Sequence, residues 1–91
     1  MYTIYKYSVP FFPRQSFTIP LSDNATIVHF EREKTGGEQF AFWALVNTES
    51  IEVERSFIIV GTGFHLSGKE RYIATVLDGP FVWHLLENTD G

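Results

Sequence analysis

The residue types most able to do chemistry are gathered in one stretch, "SFIIVGTGFHLSG", Ser56 to Gly68. Four apolar residues run into Gly61, Thr62 and Gly63, and an aromatic, an imidazole and a further glycine follow. A glycine turn leaving a strand cradles phosphate when a helix begins there, because the helix N-terminus supplies unpaired amides. No helical pattern follows Gly63; "FHLSGKERY" reads as a loop and then a strand. The stretch is therefore read as chiefly structural, Gly61 giving the strand a bulge and Gly63 a turn at positive φ. On that reading the loop to Gly68 presents Phe64 and His65 to a partner, an aromatic beside an imidazole suiting a protein-binding tip. The competing reading is an anion pocket. There Thr62 offers a hydroxyl, and Arg55, Lys69 and Arg71 offer positive charge to a nucleotide or other small anionic ligand.

The histidines, His29, His65 and His84, form no HxH or HxxxH pair, and the chain has no cysteine. No metal site, disulfide or thiol chemistry is expected. His29 reads as exposed. His84, next to Trp83, reads as a core histidine donating to a backbone carbonyl. A composite of His65, His84 and Asp78 can be drawn, but no spacing singles it out and no GxSxG elbow is present. Neither an enzymatic activity nor a cofactor is expected. Stacking platforms for single-stranded bases interleave exposed aromatics with basic residues. Only "YKY" at Tyr5 to Tyr7 does so. Core packing accounts for the aromatics as a set, with Trp43 and Trp83 as largely buried anchors.

Strands must position these residues. "MYTIYKYSV" reads as a first strand, closed by "PFFPR", where Pro10 and Pro13 forbid a central ladder. "QSFTIPL" places Phe17, Ile19 and Leu21 on one face. In "TIVHFERE" Val28 and Phe30 are expected to share a face. "KTGG" is a hairpin signal, since Gly36 and Gly37 tolerate positive φ. "EQFAFWALV", "RSFIIVGTG", "RYIATVLDG" and "PFVWHLLE" complete the set, and only "NTESIEVE" could make a helical turn. The expectation is one all-β domain over residues 1–91, of about six to seven short antiparallel strands, sandwich or barrel-like.

Several later strands are apolar on both faces. Phe40, Phe42 and Val46 oppose Trp43 and Leu45; Phe57 and Ile59 oppose Ile58 and Val60; Phe81, Trp83 and Leu85 oppose Val82 and Leu86. A two-layer domain has one interior, so the second faces require covering loops or a second copy of the protein. Self-association, as a dimer, is expected.

Formal net charge is −4, seven basic residues facing eleven acidic ones. Duplex nucleic acid is held by neutralising phosphates, so that partner is excluded, and a membrane surface with it. The longest apolar run, "FAFWALV", has seven residues, against the ~20 needed to span a bilayer. The first residues lack a basic segment followed by an apolar one, so no signal peptide is expected.

"YKY", "FWALV", "RSFIIVGTGFHL", "RYIATV" and "GPFVWHLLE" together resemble a family of small uncharacterised bacteriophage and prophage proteins. The likeness spans nearly the whole chain. It departs from the family pattern at Phe64, which separates the glycines from His65. The resemblance implies phage association and a setting in the host cytoplasm. With the excess apolar faces, it favours a non-enzymatic accessory protein that binds stoichiometrically and inhibits a host protein, such as part of a defence system. A nucleotide-binding sponge is the alternative.

Overall fold

The alternating stretches fold as strands. A computed structural model describes residues 1–10, 15–33 and 39–89; Phe11, Phe12, Pro13 and Arg14, and the "KTGGE" stretch with Gly36 and Gly37, lie outside the described residues. The described residues form β1 (Tyr2–Pro10), β2 (Ser16–Ser22), β3 (Thr26–Glu33), β4 (Gln39–Asn47), β5 (Glu52–Gly61), β6 (Glu70–Asp78) and β7 (Phe81–Asn88). Two antiparallel sheets result, with strand orders β1-β4-β3 and β2-β5-β7-β6. The fold is an all-β sandwich, as composition and punctuation predict. "NTESIEVE" makes no helix: Thr48 and Glu49 turn, and β5 begins at Glu52.

The interior is built from alternate residues of each strand. Phe40, Phe42, Ala44 and Val46 of β4 meet Phe57 and Ile59 of β5 and Leu85 of β7, with Val9 and Leu21 at the sides. Phe30 stacks on Phe40 at 5.3 Å between centroids, and Phe42 reaches across the sandwich to Phe57 at 5.6 Å. Each such ring contributes area burial and ring contact together.

The tryptophans are not the buried anchors expected of them. Both are half-buried. Trp43 pairs with Lys6 and His29 on the outward face of the three-stranded sheet, where no second layer of the described residues covers it. Its cover is local: the Lys6 ammonium at 5.6 Å and the His29 ring at 5.3 Å. Trp83 faces inward but stands towards the end of the sandwich, edge-on to Phe40 and stacked on exposed Phe81.

Two bulges reset the alternation. In β3 the register shifts between Ile27 and His29, so Ile27 and Phe30 face inward and Val28 stays exposed. Val28 and Phe30 therefore do not share a face. In β6 the shift lies between Tyr72 and Ala74. Both are edge strands, where an extra residue disturbs one ladder only. The bulge expected at Gly61 is absent, because β5 and β7 pair in unbroken register through Gly61 and Trp83. Among the described residues no helix is long and apolar enough to cross a membrane.

Candidate functional site

The second faces of β5 and β7 do carry apolar residues. Ile58, Val60 and Leu86 form a separate buried cluster on the outward side of the four-stranded sheet. Beside Val60 and Leu86 runs the connection from β5 to β6. Gly63 at φ 93° and Gly68 at φ 95° supply left-handed turns that residues with a Cβ adopt only under strain. The Phe64 amide closes the first turn on the Gly61 carbonyl at 3.2 Å. The Glu70 carboxylate gathers the Ser67 hydroxyl at 2.9 Å and the Gly68 amide at 3.0 Å, closing the second.

Between those pins Phe64 and Leu66 overhang the sheet. With Val60, Tyr72, His84 and Leu86 they enclose an open, largely apolar cavity of about 320 Å³. His84 lies at its side, Nε2 2.8 Å from the Thr62 hydroxyl and Nδ1 2.9 Å from that of Thr75. The Thr75 hydroxyl in turn meets the Tyr72 hydroxyl at 2.7 Å. A neutral imidazole has one donor and one acceptor, and hydroxyls rotate to match either tautomer. His84 thus ties the loop to the sheet through side-chain hydroxyls. The expected backbone carbonyl is not its partner, because its side chain points away from the core.

The composite of His65, His84 and Asp78 does not form. Asp78 pairs across from Phe81, on the face of β7 opposite to His84, and its carboxylate receives the Arg32 Nε hydrogen bond at 3.1 Å. His65 does not line the cavity. A Thr62–His84 contact has the form of a hydroxyl beside a base, but the group orienting the other ring nitrogen is a hydroxyl and not a carboxylate. Among the described residues no group of three or more His, Asp or Glu side chains is placed to hold a metal ion.

The basic residues of the anion reading separate into two places. Arg55 and Arg71 meet on Glu87. Arg55 donates to both Glu87 oxygens at 2.8 Å, and Arg71 donates to Glu87 Oε1 at 2.7 Å. Arg55 also donates to the carbonyls of Ala25 at 2.8 Å and Ser22 at 3.3 Å. The Arg55 hydrogen bond holds the Glu87 carboxyl below the ordinary carboxylate range despite burial, and Arg71 adds to the effect. Thr62 is elsewhere. Gly61 pairs with Trp83 and Arg71 with Glu87, so the two positions are four residue steps apart along β7, roughly 13 Å of strand. Lys69 stays at the foot of the loop, its carbonyl accepting the Thr89 amide at 3.1 Å.

One family profile, described as a domain of unknown function, DUF7352, matches residues 1–91. The chain belongs to that family. No curated protein and no solved structure matches it. In this DUF7352 domain the residues that sequence reasoning missed are Tyr72, Thr75, Leu66 and Glu87. Leu66 follows Phe64 at strand-like spacing, which was a usable signal. Tyr72 and Thr75 stand three apart and share a face only because the β6 bulge intervenes.

Proposed function

We propose that this protein acts by stoichiometric binding, seating an apolar side chain of a host protein in the cavity beneath the Gly61–Gly68 loop and so inhibiting that protein. The observation that carries the reading is the cavity itself, with Phe64 and Leu66 36% and 43% exposed above Val60 and Leu86. An aromatic or aliphatic side chain entering it removes apolar area on both partners from water, worth ~25 cal/mol per Å². His65, exposed beside Phe64, extends the contact along the rim. The likeness to small phage and prophage proteins supports a host-cell cytoplasmic setting and a defence component as target. No cofactor enters this reading. The outward face of the three-stranded sheet serves a different purpose. Ile4, Val28 and Leu45 are exposed there around half-buried Trp43, and we read that face as the surface of a dimer.

The test compares wild-type protein with Phe64→Ala and Leu66→Ala as baits in host lysate, followed by calorimetric titration of the captured protein. Equimolar binding weakened roughly tenfold or more by either substitution is expected, about 1.4 kcal/mol per tenfold. Capture that neither substitution affects would remove the cavity from the reading.

A further inference from the structure

We propose that the groove between the edge strands β3 and β6 is an anion site, taking the phosphate or carboxylate of a small organic ligand on Arg71 and Arg55. Each strand carries its bulge here, and the sheets part to leave a cavity of about 280 Å³ lined by Thr26, Ile27, Arg55, Arg71, Tyr72 and Ile73, among others. The lining holds two guanidinium groups and no acidic side chain.

The two arginines have different tasks. Arg55 is fixed: its side chain is 11% exposed, its Nε and Nη2 donate to Glu87, and its Nη1 donates to the Ser22 and Ala25 carbonyls. Its charge is balanced by Glu87 and, from the β2–β3 turn, by Asp23. Arg71 is the accessible one. Its side chain is 64% exposed, and Glu87, already held by Arg55, receives a single hydrogen bond from it. Among the described residues, its remaining N–H groups meet no protein acceptor. A guanidinium with a free edge matches the paired oxygens of a carboxylate or phosphate. Glu87 holds Arg71 over the groove, so little side-chain freedom is lost on binding. The Tyr72 ring, 60% exposed, stands at the rim, where a planar or apolar ligand body can rest. In a chain of net charge −4 a single exposed guanidinium favours small anions over larger polyanions, which meet the surrounding acidic surface.

The experiment is a heteronuclear NMR titration of the full chain at low ionic strength. The probes are inorganic phosphate, a nucleoside 5′-monophosphate, the matching nucleoside and benzoate. The expected result is saturable shifts at Arg71, Tyr72 and Thr26 with Kd tighter than about 1 mM for at least one anion. The neutral nucleoside should bind roughly tenfold more weakly than its monophosphate. A preference for the monophosphate or for benzoate tells phosphate from carboxylate as the natural head group. Arg71→Ala should weaken binding roughly tenfold, Arg71→Lys less, and Lys69→Ala, outside the groove, by no more than about twofold. Phe64→Ala should leave anion binding unchanged, which separates this site from the loop cavity. Absence of saturable shifts with every anion would overturn the proposal. Equal losses from Arg71→Ala and Lys69→Ala would overturn it too, because diffuse attraction would then account for the binding.

Discussion

Replacing Glu87 by Gln tests the electrostatic centre of the sandwich. Glu87 and Arg55 are 12% and 11% exposed at their side chains, joined by two hydrogen bonds of 2.8 Å. Taking the charge from one member leaves the other buried without its hydrogen-bonded counter-charge, a loss of ~3–5 kcal/mol in comparable pairs. Gln keeps the shape and one acceptor oxygen, and Arg55 keeps the Ser22 and Ala25 carbonyls, so the lower end, about 3 kcal/mol, is expected. A domain of this size has ~5–15 kcal/mol in total, and each kcal/mol moves Tm by ~4–8 °C. The melting point should therefore fall by more than about 10 °C. Urea denaturation is the assay, because guanidinium salt would screen the pair. The pH dependence gives a second arm. Hydrogen bonding from Arg55 depresses the carboxyl pKa in the folded state, so its stabilisation is complete above the ordinary value of 4.5. It is lost as pH falls through the lower folded value, and wild type and variant should converge in acid. A cost under about 1 kcal/mol, or a gap that stays flat through the carboxylate range, would refute the reasoning.

Gly63→Val should cost ~1–3 kcal/mol in the same urea assay, with Gly63→Asn milder. A Cβ at Gly63 meets nothing within 4 Å, so the penalty is the backbone at φ 93° and not crowding. Phe42→Ala should cost ~3–5 kcal/mol and Trp43→Ala less than half as much, since Phe42 is fully buried and Trp43 is not. Iodide should quench a substantial part of the tryptophan fluorescence of the folded protein; complete protection would place both indoles wrongly. Sedimentation equilibrium at micromolar concentration should show a dimer that Leu45→Glu dissociates, whereas a monomer throughout would leave the Ile4–Trp43–Leu45 face with another purpose.

Period-two patterning made the central strands legible. Phe40, Phe42, Ala44 and Val46 alternate through β4, and Phe57 and Ile59 alternate through the stretch of β5 whose ladders to β2 and β7 run without interruption, so these residues could be assigned to the core. It failed at Trp43, whose size and apolarity say nothing about which sheet face a second layer will cover. It failed again at Val28, because a bulge leaves no mark in composition and inverts the facing of everything beyond it. Gly63 was legible for the opposite reason. A turn that needs positive φ announces itself by its glycine.

The candidate sites were legible only in part, and one irregularity explains most of the shortfall. Strict alternation back from Thr75 along β6 puts Ile73 and Arg71 on its outward face and Tyr72 on the inward one. The bulge between Tyr72 and Ala74 reverses this. Tyr72 turns outward to complete the chain of hydroxyls that holds His84 beside the loop cavity. Arg71 turns inward to Glu87 and towards the groove beside β3. The set Arg55, Thr62, Lys69 and Arg71, read as one anion pocket, is thereby divided, Arg71 joining Arg55 while Thr62 joins His84. The same residue shift lies beside the groove where Arg71 stands and supplies the tyrosine that lines both cavities. On an edge strand this irregularity disturbs a single ladder, which is the physical reason it can sit here and not in β5.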